Sequence, residues 1–179
     1  MLNRILFSLL VVLSISTAFG KKTHQERLVD LNTATSQDEK IEAYFNIIKG
    51  VVNKKQSDSS AIYIERLKDF HTKNSIPLTR EVESRLTYYE GIMFLNKGRY
   101  HKAQNLIKKS LETPHNDSLD AKRYFFLALS HKKLGNYSQS VEYYIEASKY
   151  FQNSNNHYAR VSILINLSNV LYKTRQDEK

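Results

Sequence analysis

Small and bulky side chains recur along this chain at fixed relative positions, and no other feature of the sequence constrains the fold as tightly. Counting from Tyr124, core-like residues fall at Leu127, Ala128 and His131 and then at Ser140, Tyr144 and Ala147, offsets of 3, 4, 7, 16, 20 and 23. The same offsets from Thr87 reach Glu90, Gly91, Phe94, Ala103, Ile107 and Ser110; from Tyr44 they reach Ile47, Ile48, Val51, Ser60, Ile64 and Leu67. Spacings of three and four mark one face of a helix, so each unit reads as two helices joined by a turn. Small residues such as Gly91, Ala128, Ala103 and Ser140 let paired helices cross closely, while Ile64, Ile107 and Tyr144 fill the space between them. A fourth unit begins at Leu164 with Leu167, Ser168 and Leu171, and its next offset would fall just past Lys179. That unit is expected to be truncated.

The segments between these positions support helices. Only 5 Gly and 2 Pro occur in 179 residues, too few sharp turns for a many-stranded β fold, so the fold class expected is all-α. "HQERLVDLN" places Leu28 and Leu31 on one face and reads as a short capping helix within 21–35. Ser36 and Glu39 form a capping-box pattern at the head of the next helix. "KGRY" and "GNY" turn the chain inside the second and third hairpins, where Gly135 supplies a positive φ and Tyr137 packs over the junction. Looser polar stretches separate hairpins, giving units over 36–76, 77–115, 116–153 and a truncated 154–179.

This order of aromatic, small and bulky positions resembles the tetratricopeptide repeat family. Thr87 and Glu90 stand where that family usually carries apolar residues, and Ile48 where it carries a small one. The spacing is also longer than the family's roughly 34 residues: the equivalent positions 48, 91, 128 and 168 are separated by 43, 37 and 40. Stretched repeats behind a leader are similar to exported sensor regions of Bacteroidota-type regulators and histidine kinases. The resemblance implies a right-handed superhelical solenoid whose first helices line a groove. Carried onto this chain, the groove residues are Phe45, Lys49, Val52 and Asn53; Tyr88, Ile92, Leu95 and Asn96; Phe125, Leu129, Lys132 and Lys133; and Ile165, Asn169, Tyr172 and Lys173. Family adaptors that clamp a terminal carboxylate usually carry Lys where this chain has Phe45, Tyr88 and Phe125, so that activity is not expected.

The first 20 residues run from Arg4 through the apolar "ILFSLLVVLSI" to "STAFG" and read as a secretory signal cleaved near Gly20. The other reading, an uncleaved anchor, meets an apolar run from Ile5 to Phe19, shorter than the roughly 20 residues a spanning helix needs. Export to a periplasmic or extracellular compartment is therefore expected. Cysteine is absent, which excludes disulfides, thiol nucleophiles and thiolate metal sites. His24, His71, His101, His115, His131 and His157 show no ligand spacing, and no phosphate loop or nucleophile elbow occurs. No enzyme, metal or cofactor is expected, and His131 reads as a packed imidazole.

The formal net charge is +9, so acidic partners are favoured. The 12 Tyr and 8 Phe interleave with Lys and Arg, but most fall on or beside packing offsets, so they read as core or groove wall rather than a nucleic-acid stacking surface. The expected partner is a protein or peptide with an acidic group, bound by a scaffold of a signalling or envelope system. Asn would bond the peptide backbone and Lys its acid. The alternatives are self-association, or a groove that packs against a downstream helix or second chain. Nucleic acid is not expected, and membrane contact only through a downstream segment.

Overall fold

The computed structural model describes residues 22–113, 117–151 and 157–177; the expected leader and His115 lie outside them. The described residues form α-helices without strands: α1 (His24–Thr33), α2 (Gln37–Asn53), α3 (Ser57–Lys73), α4 (Arg80–Asn96), α5 (Tyr100–Leu111), α6 (Asp117–Lys133), α7 (Tyr137–Phe151) and α8 (His157–Asp177). The fold is all-α, as the scarcity of turn residues requires. The chain divides into two compact units, one ending at Gly50 and one running from Val51 to Lys179, with the division inside α2.

In the first unit, helix starts are fixed by side chains that satisfy the otherwise orphaned backbone N–H groups. At α1, Thr23 Oγ1 accepts from the Glu26 N–H at 3.2 Å while the Glu26 carboxylate accepts from the Thr23 N–H. At α2, Ser36 Oγ accepts from the Glu39 N–H, and the Glu39 carboxylate accepts from the N–H groups of Thr35 and Ser36. The Thr35 N–H, then the Ser36 N–H and the Thr35 hydroxyl, hold the Glu39 carboxyl below its ordinary pKa. Arg27 of α1 lies against Gly50 of α2, where an added Cβ would stand 2.6 Å from Nη1.

Three turns in the second unit share one hydrogen-bond scheme. The N–H of Gln56, Arg99 and Asn136 donates to the carbonyl five residues back, at Val51, Phe94 and His131, which closes each helix with a Schellman-type bond. The carbonyls of Gln56, Arg99 and Asn136 then accept from Ser60, Ala103 and Ser140. The left-handed position of each turn is taken by Lys55, Gly98 and Gly135, with φ of 57, 74 and 77°. The three helices that enter these turns, α2, α4 and α6, each have 17 residues, whereas α3, α5 and α7 have 17, 12 and 15. The unequal repeat steps therefore arise mainly in the second helix of each hairpin.

Within the second unit α3 packs on α4, α4 on α5, α5 on α6, α6 on α7 and α7 on α8. The small positions make the closest approaches. A Cβ on Gly91 would stand 2.6 Å from Ile107 Cγ1 and 3.3 Å from the Ala103 carbonyl. In the next hairpin the Ser140 hydroxyl donates to the Ala128 carbonyl at 2.8 Å, and Ala128, Ser140, Tyr144 and Ala147 are fully buried. The two polar departures in the α4 register are both satisfied. Glu90 pairs with Lys68 of α3 at 2.6 Å, and the Thr87 hydroxyl donates to the Glu83 carbonyl of its own helix. Burial alone would lower the Lys68 pKa, but hydrogen bonds to Glu90 and Glu65 leave it raised.

A buried arginine joins the two hairpins. Arg123 of α6 has no solvent exposure; Nη1 donates to Asp120 Oδ1 at 2.7 Å and to the Thr113 carbonyl at 3.1 Å, and Nη2 donates to Ser84 Oγ of α4 at 2.6 Å. Ser84 in turn donates to the Ser110 carbonyl at the end of α5. One guanidinium thus ties α4, the α5–α6 connection and α6. Arg123→Ala should cost about 3–5 kcal/mol, because it removes the buried cation that answers Asp120; Arg123→Met with Asp120→Asn should cost less. Urea unfolding of the three proteins checks the order.

Candidate functional site

The apolar ends of α2, α4 and α6 converge on one concavity in the second unit. Its cavity, of ≈ 290 Å³, is lined by Val52, Ile92, Leu95, Phe126 and Leu129, with Asn53, Lys55, Asn96, Tyr100 and Lys133 completing the lining. The 17-residue first helices place these residues by register: Val52 and Leu95, or Ile92 and Leu129, occupy the same offset in successive units. The floor is apolar, and the rim carries the amides of Asn53 and Asn96 and the ammonium groups of Lys55 and Lys133.

Of the residues expected to face a groove, Asn53, Ile92, Asn96, Leu129 and Lys133 meet here, as do Val52 and Leu95. Others are placed differently. Tyr88 is buried, its ring 5.0 Å from Tyr89 and 6.3 Å from Phe126, so it backs the wall and presents no surface to a ligand. Phe125 packs inward against Tyr144 at 5.6 Å, and its neighbour Phe126 takes the cavity wall instead. Phe125 packs against the core cluster that includes Ala121, Ala128, Tyr144 and Ala147. Phe45 and Lys49 belong to the first unit, where Phe45 is buried and Lys49 exposed. Asn169 and Lys173 of α8 are exposed and outside this lining, as are Ile165 and Tyr172.

Asn96 of the rim is partly committed already, and two of the expected groove lysines, Lys132 and Lys173, lie outside the lining. Asn96 Nδ2 donates to the Val52 carbonyl at 3.0 Å, which leaves its second amide hydrogen for another acceptor. Lys132 donates to Asn166 Oδ1 of α8 at 3.2 Å, and the Lys173 ammonium sits 5.9 Å from the centre of the Tyr137 ring. Burial, then the charges of Lys133 and Lys173, lower the Lys132 pKa, so this end of α6 carries mutually repelling cations. An anion nearby would relieve that repulsion.

Lys55, Tyr100 and Phe126 were not anticipated from sequence. Lys55 had a signal: it stands at offset 11 from Tyr44, where the other two units place Gly98 and Gly135. An L-residue there adopts the left-handed region at a cost of about 1–2 kcal/mol.

Two histidines are buried, His131 among them as its repeat position predicts. His71 Nδ1 lies 3.2 Å from the Ile76 carbonyl in the turn after α3. His131 stacks on Tyr143 at 5.3 Å with neither ring nitrogen hydrogen-bonded. Among the described residues no group of three or more His, Asp or Glu could hold a metal ion, and no helix is long and apolar enough to cross a membrane. In comparison with known proteins, the chain matches no family model and no curated protein.

Burial, then the Lys108 and His101 charges from α5, lower the His131 pKa from 6.5, against a smaller opposing effect of Glu142 on α7. Because the unfolded imidazole binds its proton more readily, stability is complete above 6.5 and falls as pH drops through that value toward the folded pKa. Thermal melts at pH 7.5 and 5.5 should therefore differ less in His131→Leu than in the wild type. Lys55→Gly should stabilise the fold by up to about 1 kcal/mol by relieving the left-handed turn, whereas Gly98→Ala should destabilise it similarly. Denaturant midpoints check both signs.

Proposed function

We propose that this protein is an exported scaffold of tetratricopeptide-like hairpins, stacked as a right-handed solenoid, that recognises an extended peptide segment of another protein by contact rather than by chemistry. The observation that carries this reading is the cavity of Val52, Ile92, Leu95, Phe126 and Leu129, rimmed by Lys55 and Lys133. The reading is supported by three turns with a common hydrogen-bond scheme and by first helices of one length, which present equivalent positions from successive units. The apolar leader before Lys21 supports export, and a place in an envelope or signalling system follows from that location.

Recognition divides between two kinds of contact. Apolar side chains of the peptide settle on Ile92, Leu95, Phe126 and Leu129, and an acidic side chain is held between Lys55 and Lys133. The Asn53 and Asn96 amides are placed to bond the peptide backbone. Extended-peptide recognition of this kind needs no reacting group, and the two cations give it a dependence on salt.

A displayed library of random peptides, panned on the purified chain at low ionic strength, tests the reading. Enriched sequences should carry an acidic residue beside apolar ones, and Lys55→Glu with Lys133→Glu should weaken their binding at least tenfold, about 1.4 kcal/mol, without loss of helicity. Leu129→Ala should weaken all of them regardless of charge. Enrichment that ignores both substitutions would place recognition elsewhere on the chain.

A further inference from the structure

The turns inside the hairpins and the connections between them carry charge unequally. The turns run from Val51 to Ser60, Phe94 to Ala103 and His131 to Ser140, each closed by the same pair of backbone bonds. They hold Lys54, Lys55, Lys97, Arg99, Lys102, Lys132 and Lys133 against one acid, Asp58. The connections, 67–87, 110–124 and 147–164, together carry eight Lys or Arg and six Asp or Glu. Helix dipoles do not account for the difference, because a turn and a connection each join the C-terminus of one helix to the N-terminus of the next.

The three turns adjoin. Asn53 and Lys55 of the first, Asn96 and Tyr100 of the second and Lys133 of the third line one cavity, and Lys97 of the second pairs with Asp58 of the first at 3.2 Å. That pair neutralises the one acid. Lys102 and Arg99 lie over the Phe94 ring, 4.1 and 6.0 Å from its centre, and Lys132 donates to the neutral Asn166 amide at 3.2 Å, so all three keep their charge. Lys54, Lys55 and Lys133 are exposed, with no acidic partner among the described residues. Cations so gathered repel one another: burial first, then Lys133 and Lys173, lower the Lys132 pKa.

Amides sit among these cations. Asn53 and Asn136 are exposed, and Asn96 keeps one amide hydrogen and its carbonyl oxygen after its bond to Val52. Amide groups suit sugar hydroxyls, and ammonium groups suit carboxylates or sulfates. Two other anionic partners fit less well. None of the large apolar side chains exposed among the described residues lies in a turn, so nothing there would enter a bilayer. The turn aromatics Phe94, Tyr100 and Tyr137 are half-buried, and Lys102 and Lys173 lie against the first and last, which leaves no open ring to stack on a base.

We propose that the edge formed by the three turns binds an acidic polysaccharide, whose carboxylates or sulfates meet the cations of successive turns while its hydroxyls bond Asn53, Asn96 and Asn136. This site does not rest on the peptide reading, since it needs no apolar floor, although it shares Lys55 and Lys133 with the cavity rim.

Heparin and polygalacturonate, titrated into the full chain at low salt, are the probes. Both should bind saturably and dissociate as salt is raised. Lys54→Ser with Arg99→Ser and Lys133→Ser should weaken binding at least about tenfold, whereas Lys73→Ser with Arg80→Ser and Arg160→Ser, an equal loss of charge from the connections, should change it less than about twofold. If the first triple fails to fold, Lys54→Ser and Lys133→Ser singly, at exposed positions, should each weaken binding about threefold. Asn53→Ala with Asn136→Ala should weaken both polysaccharides and leave the binding of inorganic polyphosphate unchanged. Leu129→Ala should not alter polysaccharide binding, which separates this site from peptide recognition. Four results overturn the proposal: no saturable binding; equal weakening by the two triples, which would leave net charge alone at work; polysaccharide affinity indifferent to the two asparagines, which would mean that the edge reads no sugar; or tighter binding of single-stranded DNA or phosphatidylglycerol vesicles that the first triple abolishes, which would make the partner a nucleic acid or a membrane.

Discussion

A positive charge with no access to water holds the two central hairpins together. The guanidinium of Arg123 is met by Asp120, Ser84 and the Thr113 carbonyl, acceptors drawn from α6, α4 and the connection before α6. Burying a guanidinium is costly, so the arrangement tolerates little displacement of those partners. Ile92 on α4 and Leu129 on α6 face one cavity across the joint that this network fixes. Apolar contacts alone could slide along a helix by part of a turn; directional bonds to a planar group resist that motion.

Close packing sets the remaining geometry. Gly91 against Ile107 and Ala128 against Ser140 bring backbones together where any larger side chain would hold them apart. Aromatic residues gather between α6 and α7. Tyr124 lies 6.3 Å from Tyr143 and 6.0 Å from Tyr150, and His131 continues the pile against Tyr143. Tyr124, Tyr143 and Tyr150 are half-buried and pack against the core that holds Tyr144 and Ala147.

Much of this was legible in the sequence because sterics demand particular residues at particular offsets. Gly91, Ala103, Ser140 and Ala147 could be read as crossing points, Gly98 and Gly135 as turns, and Ser36 with Glu39 as a helix start. Arg123 was not read, since a lone arginine in a helix normally suggests a solvated face. Its clue lay one residue before the repeat origin, where the other units carry Ala43, Leu86 and Ile163, all buried. Glu90 looked like a fault in the register because its partner, Lys68, lies on a different helix. The groove was half legible for a related reason. Which helix ends line it follows from periodicity, but whether Phe125 or Phe126 faces outward depends on how closely α7 approaches, and no offset count contains that distance.

The three first helices that close on a turn have 17 residues each, beside partners of 17, 12 and 15. The length differences between units therefore sit in helices that give the cavity lining only Tyr100, at the head of α5. A hairpin can lengthen or shorten its second helix and still present equivalent positions of its first helix to the same concavity.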